Sequence, residues 1–136
     1  SFSRRVLFEH DIQVSYRAAD GRARVLYLDR NYNDTLGLMH EDAWRDSPPV
    51  KLAGIDPAIL EVRCLSALDL AVSKLARFSD QDRADIESLA RAKLIDSPSV
   101  RKRAEEALEA YIGDLRPVRH SLSVACSAID AAIRRR

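Results

Sequence analysis

The feature that most constrains this chain is a change of hydrophobic period at Ser66. Before that residue, apolar side chains recur at every second position in "DIQVSYR" (residues 11–17), "ARVLYLD" (residues 23–29) and "AILEVRCLS" (residues 58–66). After it they recur at every third or fourth position, through "SALDLAVSKLARFSDQDRADIESL" (residues 66–89) and on towards the terminal arginines. A period of two suits a pleated strand and a period near 3.6 suits a helix, and neither pattern serves well as the other. The expected fold class is α+β: a small antiparallel sheet, made of a hairpin plus one strand, followed by four helices. A length of 136 residues fits one domain, with residues 1–65 as its β-rich part and residues 66–136 as its helical part. The chain begins Ser-Phe-Ser without an initiator methionine, so a fragment of a longer protein is expected.

Local signals refine that outline. Asp20-Gly21 lies between the first two runs and offers the positive-φ position of a hairpin turn. In the second run Val25 and Tyr27 alternate with Leu26 and Leu28, so both faces are expected to be covered. "NYNDTLGLMHEDAWRDSPPV" reads as a long structured connection, and Pro48-Pro49 forbids a helix and gives it an extended exit. In the third run Leu60, Val62 and Cys64 share one face. Ser66 with Asp69 approximates a capping box, and Ser79 or Asp80 can cap the second helix. Ser97-Pro98 and Arg116-Pro117 each place a proline at a helix start, the third helix ending near Gly113. The fourth carries Leu122, Ala125, Cys126, Ile129 and Ile133 on one stripe.

Composition excludes several classes. A net charge of +1 supplies no field toward an anionic membrane and no strong nucleic-acid signal, and Arg134-Arg135-Arg136 reads as a solvated helix end. No apolar run approaches the ~18 residues of a membrane span, and no signal peptide is visible, so a cytoplasmic protein is expected. Cys64 and Cys126 lack the spacing of a zinc site or a redox pair, and both are expected to be reduced and buried. His10, His40 and His120 show no metal-ligand spacing. Trp44, Tyr27 and Tyr32 could stack a base, although core or loop anchoring is the default use of such rings.

The chemistry-bearing cluster lies in the helical part. Lys74 is the single lysine of an apolar helix, and Asp82 and Asp85 follow eight and eleven residues later at the start of the next. Three residues apart, the two aspartates project from one helix face near its positive dipole end. A lysine beside two carboxylates can grip phosphate, help to hold a metal through the carboxylate oxygens, or simply neutralise itself. Lys74 lies beside the stripe of Leu68, Val72 and Leu75, so its stem should run along buried surface and its head should meet Asp82 or Asp85 at the helix junction.

The residues Asp69-Leu70, Lys74-Leu75 and Asp82-Arg83-Ala84-Asp85-Ile86, after the run ending at Ser66, resemble the back half of the AbiEii-like nucleotidyltransferase families of the polymerase-β-type superfamily. The stretch "YLDRNYNDTLGLMHEDAW" resembles an uncharacterised bacterial group within them. The resemblance implies that Lys74 approaches nucleotide phosphates and that Asp29 falls where a late metal-binding carboxylate would sit. It also implies Mg2+ as the cofactor of a complete, active homologue, a nucleotide as ligand, and nucleoside monophosphate transfer to a protein or RNA, possibly within a toxin–antitoxin pair. The family's Gly-Ser turn is missing from the sequence, and Asp11 in "HDIQV" is followed by Gln13 where a second carboxylate would complete Asp-x-Asp. The chain alone is therefore expected to be inactive. The alternative is a non-catalytic interaction or oligomerisation module, docking a partner protein or forming a homodimer through an exposed stripe of Leu122, Ile129 and Ile133.

Overall fold

The computed structural model describes residues 10–18, 20–28, 37–51, 53–54, 56–59 and 61–135. It is α+β, and its chain falls into two compact units, residues 1–36 and residues 37–136.

The first unit contains an antiparallel hairpin of β1 (Ile12–Arg17) and β2 (Ala23–Leu28), in register from Ile12 opposite Leu28 to Arg17 opposite Ala23. Its turn closes where expected, with Gly21 at φ +79° and its N–H donating to the Ala18 carbonyl at 2.9 Å. The side chain of Asp20 accepts from the Arg22 N–H and pairs with Arg24, each at 3.0 Å, which fixes the turn locally. The expectation that both faces of β2 are covered fails at Val25 and Tyr27, which are 60% and 52% exposed. Strand alternation reports that a face is apolar; it does not supply the element that would cover it.

In the second unit, α1 (Ala43–Asp46) interrupts the connection that the sequence suggests, and Pro49–Val50 then forms the extended exit as β3. The third strand shrinks to β4 (Val62–Arg63), which pairs with β3 and not with the hairpin. Upstream of it Asp56 closes a turn, accepting the Ile59 N–H on its carbonyl and the Ala58 N–H on its side chain, both at 2.9 Å. Cys64 is exposed although its N–H donates to the Pro48 carbonyl at 3.0 Å, which corrects the expected burial, whereas Cys126 is buried as expected and its thiol is pushed up by that burial.

Four helices follow: α2 (Ala67–Ser73), α3 (Asp80–Arg91), α4 (Ser97–Leu108) and α5 (Leu115–Arg134). The caps of the last two are aspartates. Asp96 accepts from Ser99 N–H and Asp114 from Arg116 N–H, so each proline sits inside the first turn instead of directly after the cap, and α4 ends at Leu108, short of Gly113. An ionised carboxylate is the stronger acceptor at a positive helix end, which is why Asp96 prevails over Ser97. Val72 and Leu75, Ile86 and Ala90, Val100 and Ala104, and Leu122, Ala125 and Ile129 fill one core between the helices. Leu122 and Ile129 are thus core residues, and of the proposed docking stripe only Ile133 is exposed. Among the described residues no helix is long and apolar enough to cross a membrane.

Candidate functional site

The junction between α2 and α3 is built by its own sequence. Beyond α2, Lys74 to Arg77 form a last turn in which the Phe78 N–H donates to the Lys74 carbonyl at 2.8 Å. Phe78 takes φ +45°, a left-handed conformation that costs a residue with a Cβ about 1 kcal/mol. That reversal lets Ser79 cap α3 at once and turns the first face of α3 back onto Lys74. Ser79 and Asp82 form a complete capping box: the Asp82 N–H donates to Ser79 Oγ at 3.2 Å, and the Ser79 N–H donates to Asp82 Oδ2 at 3.0 Å.

Asp82 is wholly buried, yet both oxygens are satisfied. Oδ1 accepts from Arg77 Nη2 at 2.7 Å and from Lys74 Nζ at 3.2 Å, while Oδ2 accepts from Arg77 Nε at 2.8 Å and Ser79 Oγ at 2.7 Å. Lys74 Nζ also donates to Asp85 Oδ2 at 2.8 Å, and Gln81 holds the other Asp85 oxygen at 2.8 Å. Lys74, expected to meet Asp82 or Asp85, meets both: the Asp85 contact at 2.8 Å has the length of a charge-assisted hydrogen bond, and the Asp82 contact at 3.2 Å is a longer ion pair. The Lys74 side chain is 17% exposed, so its ammonium sits at the edge of the core.

The electrostatics follow from these contacts. The Arg77 guanidinium, helped by Ser79 and Lys74, overcomes desolvation and holds the Asp82 carboxyl far below the usual carboxylate range. Asp85 is lowered by the hydrogen bond from Lys74, and Lys74 is raised chiefly by Asp85. All four groups, Lys74, Arg77, Asp82 and Asp85, stay charged at neutral pH, and their charges sum to zero. Two of the three Lys74 N–H groups are committed to carboxylates, which leaves one for another acceptor.

A second charged knot was not foreseen. Asp69, in the resemblance motif, is buried at the third position of α2, where Ser66 Oγ both caps its N–H at 3.0 Å and donates to its Oδ2 at 2.8 Å. Arg103 on α4 grips the same carboxylate through Nε at 2.8 Å and Nη2 at 3.0 Å, and reaches Asp46 of α1 at 2.8 Å. His40 is also engaged, its Nδ1 accepting the Asp42 N–H at 3.1 Å and its Nε2 lying 3.4 Å from Glu106. His10 and His120 are exposed. The metal candidate Asp29, and Tyr32, lie outside the described residues. Among the described residues no group of three or more histidines, cysteines or carboxylates could hold a metal ion.

Residues 11–130 match a family described as nucleotidyltransferase of unknown function (DUF6036). The match spans most of the chain, including both charged knots, and the chain belongs to that family. No curated protein and no solved structure shows a significant match to it.

Proposed function

We propose that this chain is the back half of a nucleotidyltransferase, close to the AbiEii-like families, and that Lys74 serves the phosphates of its nucleotide. The observation that carries the reading is the family match across residues 11–130, which includes Lys74, Asp82 and Asp85. The geometry supports it in one respect: Lys74 is held at the helix junction with an N–H still uncommitted, and Asp82 and Asp85 fix its position. A pre-positioned ammonium loses little freedom when a phosphate arrives. In a protein that joins this chain to a Gly-Ser turn and an Asp-x-Asp pair, those carboxylates would hold Mg2+, and the activity would be transfer of a nucleoside monophosphate to a protein or RNA, possibly within a toxin–antitoxin pair. The metal would stabilise charge on the transferring phosphoryl group. The chain alone is read as inactive: it has no Gly-Ser turn, and its one Asp-x-Asp, Asp80-Gln81-Asp82, opens α3, where the Asp82 carboxylate is taken by Arg77, Ser79 and Lys74.

Two measurements test the reading. Calorimetric titration of this chain with each Mg-nucleoside triphosphate should give weak binding or none; micromolar affinity would show that the chain already carries a complete site. In a protein that joins this chain to a Gly-Ser turn and an Asp-x-Asp pair, Lys74→Met should leave the unfolding transition in place and abolish transfer. Unchanged transfer would remove Lys74 from the phosphate site.

A further inference from the structure

Trp44 is the only tryptophan of the chain, and it is not a core residue. It sits on α1 with 60% of its surface exposed, an unusual position for the largest apolar side chain. Its ring is nevertheless held. The Arg63 guanidinium lies over it, 5.4 Å from the ring centroid, within cation–π range. Arg63 is itself fixed, donating to the Ser47 carbonyl at 2.9 Å and pairing with Glu61 at 2.7 Å. Ser47 is buried and its hydroxyl donates to the Ala43 carbonyl at 2.6 Å, which ties the support back to α1. The result is an exposed aromatic plate, backed by a cation whose own position is set by the β3–β4 pair.

We propose that Trp44 is a stacking platform for a nucleobase. A planar, polarisable ring is the ligand that such a plate takes with least loss of freedom, since neither partner needs to reorganise. The surrounding charge points to the base and away from its phosphate. Arg45 is neutralised by Asp42 at 2.7 Å and by Asp46 at 3.5 Å, and Arg63 is neutralised by Glu61. Both arginines beside Trp44 are thus matched by carboxylates, a balance that favours a neutral ring over a polyanion. The inference rests on the nucleotidyltransferase reading only in choosing a base as the planar ligand, and it makes no use of Lys74.

The sole tryptophan makes the test direct. Adenosine and AMP are titrated against the intrinsic fluorescence of the native chain, with N-acetyltryptophanamide as the collisional control. Saturable quenching in the millimolar range is expected, with adenosine and AMP within about twofold of each other, because Arg45 and Arg63, the cations described beside Trp44, are each paired with a carboxylate. Equilibrium dialysis with labelled adenosine then compares variants: Trp44→Ala should bind at least about fivefold more weakly, and Trp44→Phe should retain most of the binding. Both substitutions fall at an exposed side chain, so the helical circular dichroism should be unchanged. Adenosine carries no phosphate for Lys74 to serve, so its quenching reports on Trp44 alone, which separates failure of this proposal from failure of the phosphate reading. Quenching that stays linear like the control, binding unchanged in Trp44→Ala, or a response to single-stranded oligonucleotide with adenosine and AMP silent would each overturn it.

Discussion

Asp69 and Asp82 occupy the same position in consecutive helices, the third residue after a serine cap, and neither side chain is more than 1% exposed. Each is gripped by two nitrogens of an arginine at 2.7–3.0 Å. The arginines differ in where they come from. Arg77 lies five residues before its aspartate, on an exposed turn, with 73% of its side chain in water. Arg103 lies 34 residues after its aspartate, on α4, and is 13% exposed. The Asp82 knot is thus a local device that shapes one helix junction, and a lysine reinforces it. The Asp69 knot joins α1, α2 and α4, and its carboxylate has one cation to rely on. Similar hydrogen-bond geometry therefore implies different consequences when a partner is removed.

The largest effect is expected at Arg103. Replacing it with alanine leaves the buried Asp69 carboxylate with Ser66 alone and strips Asp46 of the guanidinium that holds its pKa down. Breaking a buried pair from one side costs about 3–5 kcal/mol, so the urea midpoint of Arg103→Ala should fall sharply. A loss no larger than that of a surface substitution would mean that Asp69 finds water or another cation, and the contrast between the two knots would collapse.

Asp82→Asn should come next, and it sharpens the comparison through pH. The native Asp82 pKa is depressed, chiefly by Arg77, relative to an unfolded value near about 3.9. A depressed carboxylate stabilises the fold fully above the unfolded value, and the benefit is lost as pH falls through the folded one. The stability gap between native chain and Asp82→Asn should therefore be constant near neutrality and begin to close below about pH 4. A gap that does not change down to the acid transition would place the stabilisation in shape and not in charge.

Arg77→Ala is expected to lower the urea midpoint only slightly. Its guanidinium is mostly hydrated, and Asp82 keeps Lys74 and three contacts with Ser79. A midpoint as low as that of Arg103→Ala would show that local and long-range arginines are equivalent here.

What could be read in the sequence divides along the same line. Both serine caps are legible, Ser66 with Asp69 as an approximate capping box and Ser79 as a cap candidate, although the complete box forms at Ser79–Asp82 and only the Ser66 half of one forms at Asp69. The approach of Lys74 follows from a lysine beside an apolar stripe and a short turn. Arg77 also lay within the readable window, three residues after Lys74 and five before Asp82, and was overlooked. Arg103 had no such signal: the chain holds 22 lysines and arginines, and spacing alone does not say which of them meets Asp69 across 34 residues. The β region shows the same limit. The hairpin was legible from Asp20-Gly21 and two alternating runs, whereas the third run pairs through Val62–Arg63 and the Cys64 N–H with Pro48–Val50 instead of joining the hairpin sheet, because alternation does not name a partner strand. The Cys64 N–H still donates to the Pro48 carbonyl at 3.0 Å, yet its side chain is exposed, because backbone pairing does not supply a cover for the face.

The smallest effect is expected at Lys74, the residue with the strongest functional claim. Lys74→Met keeps a stem of similar length beside Val72 and Leu75, both fully buried, and removes the ammonium. Asp82 then retains two nitrogens of Arg77 and its contacts with Ser79, and Asp85, whose side chain is 39% exposed, retains Gln81 and gains water. Neither carboxylate is stranded, so the change in stability should lie within about 1 kcal/mol of zero in either direction. The Lys74 pKa is raised, chiefly by Asp85, so whatever the ammonium contributes is present below the unfolded lysine value and lost only as pH rises through the folded one. Across neutral pH the native chain and the variant should therefore run parallel in denaturation. A Lys74→Met cost approaching that of Arg103→Ala would make lysine, not Arg77, the principal counter-ion of Asp82. Near-zero cost in this chain, together with loss of transfer in any active protein that carries this segment, would separate its use in function from any need in folding.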